Sequence, residues 1–285
     1  MARRQDGGQC EVAVDPELLK TVFFAGDPHG DFSGLNHAAL SHRPRAMFML
    51  GDFELEASLD DMVHEAAAVT DLWWIHGNHD VTRAHHYDYL FGSGLAHRCL
   101  SGGVVTIDNL RVAGLGGHFL GRIWHPLRDE GRPRYRTREE YLATVPMQER
   151  WNGGLPRKAR AAIFPEDVEA LWHQRADVLI THEAPSCHPH GFRIIDDLAE
   201  AMGATLIVHG HHHVTYGVTY RERPLTALGV GLGAVIDGRG CVIVEGGFDP
   251  EAGVELAAEY RQLRDRPSGE LWIPESPECS AGKTP

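Results

Sequence analysis

The chain has 285 residues, 42% of them hydrophobic, and a formal net charge of −13, which suits one large soluble domain or two small ones. The acidic balance argues against general nucleic-acid affinity, because phosphate backbones select basic surfaces. The longest apolar runs, Ala46 to Leu50 and Val178 to Ile180, fall far short of the roughly 20 residues a membrane helix requires. Arg3 and Arg4 lead into polar Gln5 to Gln9 instead of the apolar stretch of a secretory signal, so a cytoplasmic protein without membrane contact is expected.

In chain order, Thr21 to Ala25 is a short apolar run ending in Gly26-Asp27-Pro28-His29-Gly30, the pattern of a buried strand whose carboxyl end delivers polar side chains. Phe32 to Leu40 is predicted helical, capped by Asp31 or Ser33. Ala46 to Leu50 repeats the strand pattern before Gly51-Asp52, and Leu59 to Val69 reads as a helix capped by Ser58. Leu72 to Ile75 is the third such strand, before Gly77-Asn78-His79-Asp80. Val104 to Ile107, Asp108-Asn109 and Leu110 to Ala113 read as a hairpin with a two-residue turn.

Residues 118 to 165 read as an insertion over the edge that carries the polar clusters, with a short helix at Thr137 to Ala143. Between Arg111 and Arg160 eleven Arg or Lys stand against five Asp or Glu, a basic island of +6 in an acidic chain. Either this is a solvated, salt-bridged surface, or it is a lid that attracts an anionic ligand. Asp177 to Ile180 before Thr181-His182-Glu183, and Leu206 to Val208 before Gly210-His211-His212-His213, are the fourth and fifth units of strand and polar cluster. A helix from Phe192 to Met202, stopped by Gly203, separates them. The alternation of strands and helices predicts βαβ units with the five clusters along one edge of a sheet. After His213, three strand signals without helices, Val214 to Tyr220, Leu225 to Val230 and Gly240 to Glu245, predict with the 104–113 hairpin a second, antiparallel-rich sheet packed against the first. A flexible tail is expected from about Pro267. The whole chain is expected to be a single domain, residues 1–285, carrying this insertion and tail.

The clusters carry the chemistry. Asp27 and His29, two apart at a strand end and flanked by small glycines, can chelate one ion. Asp52 has two carboxylate oxygens and can bridge two ions. Each cluster alone has a blander explanation: Gly-Asp after a strand is common turn chemistry, Asn78 suits a turn, and three successive histidines can be a metal-binding tract without catalysis. Five in succession after five predicted strands do not. His37, His42, His64, His85, His86 and His173 read as structural or surface residues, and His118, His188 and His190 as candidate substrate contacts. The five cysteines, at 10, 99, 187, 241 and 279, form no Cys-x-x-Cys pair and read as reduced structural thiols.

The order Asp-x-His, Asp, Asn-His, His, His-x-His resembles the calcineurin-like metallophosphoesterase superfamily, over residues 21 to about 215. The resemblance implies a four-layer αββα sandwich of two mixed sheets flanked by helices. It implies two divalent metal ions, Mn, Fe or Zn, with Asp27, His29, Asp52 and His213 about one and Asp52, Asn78, His182 and His211 about the other. His79 resembles the histidine that protonates the leaving group, with Asp80 orienting it. The implied activity is hydrolysis of phosphomonoesters or phosphodiesters by a metal-bridging hydroxide, on a small phosphorylated substrate with nucleotides among the candidates. A binding scaffold without turnover and a nuclease are the alternatives. The motif departs from the family at Leu55, where a second Asp usually stands. The Asp-Arg-Gly of protein Ser/Thr phosphatases is also missing, which argues against that branch.

Overall fold

The computed structural model describes residues 15–247 and 269–272. The chain enters through a one-turn helix α1 (Pro16–Leu19), strand β1 (Val22–Ala25), helix α2 (Ser33–His42) and strand β2 (Ala46–Met49). Two one-turn helices, α3 (Leu59–Met62) and α4 (His64–Ala67), precede β3 (Asp71–Trp74) and α5 (Ala84–Phe91). The hairpin is β4 (Val104–Ile107) and β5 (Leu110–Leu115), turning at Asp108 with φ 52°. Then come α6 (Arg138–Thr144), α7 (Pro165–Trp172), β6 (Val178–Thr181), α8 (Arg193–Met202) and β7 (Leu206–His209). Strands β8 (Tyr216–Tyr220), β9 (Thr226–Gly229), β10 (Val235–Asp237), β11 (Val242–Val244) and β12 (Gly269–Trp272) complete the described residues. No helix among them is long and apolar enough to cross a membrane.

Two mixed sheets result. One has the order β11-β10-β1-β2-β3, with β1, β2 and β3 parallel. The other has the order β12-β8-β9-β7-β6-β5-β4, with a parallel centre of β5, β6, β7 and β9. Strand alternation sorts the apolar side chains into three layers. Phe24 and Phe48 face Val112, Ile180 and Val208 between the sheets. Phe23, Met47 and Met49 face α2 and α5 through Leu35, Ala38 and Leu90. Leu179 and Ile207 face α7 and α8 through Leu171, Ile195 and Leu198. This is the four-layer αββα sandwich, and cutting a fully buried central side chain such as Phe48 back to Ala would cost about 3–5 kcal/mol.

Three sequence expectations need correction. The five strand-and-cluster units do not share one sheet: β1, β2 and β3 belong to the first and β6 and β7 to the second, because the β4–β5 hairpin starts a new sheet and β5 pairs with β6. Nor do the strands after His213 form their own sheet, since β8 and β9 extend the second while β10 and β11 return to β1. The predicted helix at 59–69 is broken at Val63, where the Asn36 side chain donates to the Met62 carbonyl at 2.9 Å and accepts from the Ala66 N–H at 3.2 Å. That inserted amide takes both groups of the i→i+4 bond a continuous helix would have made, a recognised cause of a break. Of the expected flexible tail, Gly269–Trp272 is strand β12 on β8; the rest lies outside the described residues.

Candidate metal centre

The carboxyl ends of β1, β2, β3, β6 and β7 deliver the predicted clusters to one place, from both sheets. Asp27 and Asp52 are buried, and so is His182. The His182 Nδ1–H donates to the Leu50 carbonyl at 2.8 Å, which turns Nε2 towards Asn78 Oδ1 at 3.1 Å and Asp52 Oδ2 at 3.3 Å. Three acceptors meeting there need a positive group among them, either a proton on Nε2 or a cation. His211 belongs to the same group, its ring centroid 4.8 Å from that of His182. A second group gathers beside it: His29 Nε2 and His213 Nε2 lie 3.1 Å apart, and His213 Nε2 is 3.7 Å from Asp27 Oδ2. Asp27 Oδ2 accepts the His211 backbone N–H at 2.7 Å, while Asp27 Oδ1 is buried with no hydrogen-bond partner. All seven predicted ligands, Asp27, His29, Asp52, Asn78, His182, His211 and His213, are thus brought together. Their mixed N/O donors and the orphaned Asp27 oxygen fit divalent transition ions better than Ca or Mg.

The backbone is forced to make this possible. His29, Asp52, Glu54, His211 and His213 all have left-handed φ, between 41° and 72°, a conformation that costs about 1–3 kcal/mol and clusters at functional sites. A Cβ on Gly77 would lie 2.2 Å from Asp52 Oδ1 and 2.5 Å from His182 Cε1, so only glycine fits between them. Electrostatics reports the same compression. Burial pushes the Asp27 carboxyl up to about 8. Burial opposes ionisation of Asp52 as well, but the His182 charge and hydrogen bond outweigh it and hold this carboxyl well below its ordinary range. Burial works against a charged His182 too, and Asp52 and Asp27 together raise it to about 10.

A family model described as calcineurin-like phosphoesterase matches residues 20–215 of this chain. The chain belongs to the calcineurin-like phosphoesterase family. It is accordingly a hydrolase of phosphoesters. An uncharacterized protein of Haemophilus influenzae strain Rd is 40% identical over 225 residues, covering 79% of this chain and 96% of its own. Among solved structures, TT1561 of Thermus thermophilus aligns with a TM-score of 0.49 at 15% identity, over 76% of this chain and 94% of its own. The phosphopantetheinyl hydrolase of Mycobacterium tuberculosis aligns with a TM-score of 0.41 at 18% identity, over 75% and 90%. Scores this low add no weight to the assignment.

In this phosphoesterase His79 opens a short 3-10 turn after β3, its backbone N–H donating to Asp52 Oδ1 at 2.7 Å. Its side chain is 41% exposed and lines a cavity of about 420 Å³ with His29, Glu54, Thr82, Arg83 and His86. Asp80 does not orient it. The Asp80 carboxylate is buried and accepts the backbone N–H groups of Phe53 at 2.7 Å, Gly77 at 2.7 Å and Asp52 at 3.1 Å, bracing the loops after β2 and β3 against each other. Burial raises this carboxyl to about 7. The side chain that reaches His79 is Glu54, whose Oε1 lies 2.6 Å from His79 Nδ1. Glu54 is the acidic residue the sequence reading passed over in Gly51-Asp52-Phe53-Glu54-Leu55. Leu55, where the family has its second Asp, is a fully buried core residue.

The 118–165 segment packs Phe119, Ile123, Trp124, Tyr141 and Leu155 into the layer outside the second sheet. Its helix α6 has Glu139 and Glu140 in the first turn, and Thr137, expected inside the helix, is instead its cap, the side chain accepting the Glu140 N–H. Most of its basic side chains are engaged: Arg138 pairs with Glu166 and Asp167, Arg136 with Glu169, Arg134 with Asp129, and Arg160 lies over the rings of Trp151 and Tyr87. Of the histidines considered as substrate contacts, His188 is buried and stacks on His212 at 3.8 Å, and His190 is exposed. His118 Nδ1 is buried without a hydrogen-bond partner, and burial lowers this ring to about 4. Cys187 is buried against Tyr216 and Tyr220, and desolvation raises its thiol to about 11, which leaves it inert.

Proposed function

We propose that this protein is a cytoplasmic phosphoesterase using two divalent ions, Mn, Fe or Zn, to hydrolyse phosphomonoesters or phosphodiesters of small molecules, nucleotides among them. The observation that carries the reading is the meeting of His182 Nε2 with Asn78 Oδ1 and Asp52 Oδ2, two oxygens within 3.3 Å of the imidazole nitrogen. Asp27, His29, Asp52 and His213 would hold one ion, and Asp52, Asn78, His182 and His211 the other. When bound, such ions activate water as a nucleophile and neutralise charge on the phosphoryl oxygens.

The chain's own groups would do the rest. The Leu50 carbonyl fixes the His182 tautomer, so that Nε2 faces the centre. Glu54 accepts from His79 Nδ1–H and its carboxylate balances the charge of the doubly protonated ring, whose Nε2–H is the proton handed to the departing alkoxide. Arg83 and His79 both line the cavity where the ester would lie, and a volume of about 420 Å³ suits a small molecule. The net charge of −13 disfavours a long polyanion such as duplex DNA.

The test is hydrolysis of bis-p-nitrophenyl phosphate beside p-nitrophenyl phosphate, with Mn, Zn, Mg, Ca or no added metal, for the parent and Asp52→Asn proteins. Metal-dependent turnover lost in the variant is the expected result, and the preferred ester decides between diesterase and monoesterase. Stoichiometric bound metal without turnover on either ester would point to a binding scaffold instead.

A further inference from the structure

A second set of metal-ligating side chains stands outside the centre described above. His85 and His86 open α5, and Glu56 lies beside them. His86 is 3% exposed, and its Nδ1 faces the His79 carbonyl oxygen at 3.3 Å. Thr82 Oγ1 is also 3.3 Å from Nδ1, but its hydrogen goes to the same carbonyl at 2.7 Å, so both oxygens accept, Nδ1 carries the ring hydrogen and Nε2 keeps a lone pair. That Nε2 is buried without a hydrogen-bond partner and lies 3.9 Å from Glu56 Oε1. His85 Nε2 is likewise buried and unpartnered, 3.6 Å from the same oxygen. The three donor atoms all lie within 4.8 Å of one another.

A buried ring nitrogen costs free energy when nothing answers it, and here two of them share one carboxylate oxygen at distances too long for hydrogen bonds. Tetrahedral zinc with N and O ligands at about 2.0–2.2 Å holds neighbouring ligand atoms about 3.4 Å apart, within a few tenths of an ångström of the separations from Glu56. The Glu56 side chain is 70% exposed and free to make that adjustment. Its other neighbour, Arg83 Nη1 at 3.5 Å, is an exposed ion pair of the weak kind. Both histidines sit in the first turn of α5, where the helix dipole disfavours a cation. Retention would therefore depend on imidazole bonds, which select a transition ion over Mg or Ca.

We propose that Glu56, His85 and His86 form a separate site for one zinc-class dication on the wall of the cavity that His79 lines. Its ligands are distinct from those of the centre at Asp52, so it does not depend on the dinuclear reading.

The probe is Zn²⁺ at a buffered free concentration that saturates the parent, with bound metal counted by elemental analysis and Co²⁺ absorption as a second readout. Glu56→Ala and His85→Ala are the variants, because both side chains are at least 40% exposed and their removal spares the core. Each is expected to take up one equivalent less than the parent and to lose the corresponding part of the cobalt spectrum. The same one-equivalent difference is expected when either change is made in the Asp52→Asn protein. If the dinuclear reading were wrong, total uptake would change and this difference would not. Uptake equal to the parent's in either variant overturns the proposal.

Discussion

The two sides of the centre are built differently. Around Asp52 and His182 the side chains are enclosed: His182 has no exposed surface, its Nδ1 is fixed by a backbone carbonyl, and a glycine is required where any Cβ would collide with it. Around His79 and Glu54 the side chains are 41% and 33% exposed and line the cavity. Enclosure without water makes electrostatic contacts strong and geometry rigid, whereas a half-open wall can admit an ester and release a product. On the proposed reading, the first side would hold the ions and the second would handle the substrate.

The largest effect should come from the enclosed side. Asp52→Asn is expected to lower turnover by more than about 10³-fold, because it removes the shared carboxylate charge and weakens the hold on both ions. Metal content and rate should fall together, and a variant that keeps its ions at the parent rate would break the division. On the open side, His79→Ala should cost about 10²–10⁴-fold in kcat, the range of a lost general acid, while metal content stays constant. Loss of metal in that variant would move His79 to the other side of the comparison.

Glu54→Gln should cost about 10–100-fold, as outer partners of functional histidines typically do. Burial raises the Glu54 carboxyl, but the hydrogen bond and charge of His79, with that of His29, outweigh it and hold the group below its ordinary range. A carboxyl depressed in the folded state contributes stability that is present above its unfolded value and lost as pH falls through the folded one. The acid limb of the parent's rate and stability profiles should therefore lie below the usual carboxylate range, and the Gln variant should lack that limb. An unchanged acid limb in the variant would remove Glu54 from the role.

Proton release sharpens the comparison from the other direction. His182 is raised to about 10 in the metal-free protein, so at neutral pH it carries a proton that a bound cation must displace. A group raised in the folded state contributes stability present below its unfolded value and lost as pH rises through the folded one. Metal affinity should accordingly climb with pH, by about tenfold per unit for each proton displaced. Calorimetry of metal binding in buffers of different ionisation enthalpy should detect the released proton, and its absence would mean His182 is already neutral.

Much of this was legible in the sequence because each ligand cluster follows an apolar run of strand length, and a strand's carboxyl end has few ways to point its next residues. What escaped notice depended on contacts between distant segments. Glu54 reaches His79 because its own backbone is left-handed, at φ 48°, and nothing in Phe53-Glu54-Leu55 announces that. Asp80 was expected to serve its neighbour His79, yet three N–H groups from two other loop positions and its own turn claim its carboxylate. The break at Val63 is written in Asn36, a residue on a different helix. Periodicity reads the elements themselves; it is blind to a side chain arriving from elsewhere.

The smallest predicted effect joins the open side to the 118–165 segment. Arg157 donates from Nε to the Val81 carbonyl and from Nη2 to the Thr82 carbonyl, both at 2.8 Å. Those carbonyls end the 3-10 turn that His79 begins. One guanidinium therefore clamps the segment onto the turn carrying the proposed proton donor. Arg157→Ala removes both bonds, leaves the enclosed ligands untouched and should lower kcat by about tenfold through misplacement of His79, with metal content unchanged. The split between kcat and KM then tells positioning from covering. If Arg157 only holds the turn, kcat falls and KM stays. If the segment also closes over the ester as a lid, KM rises as well, and that rise should be steeper for the bulkier diester than for the monoester.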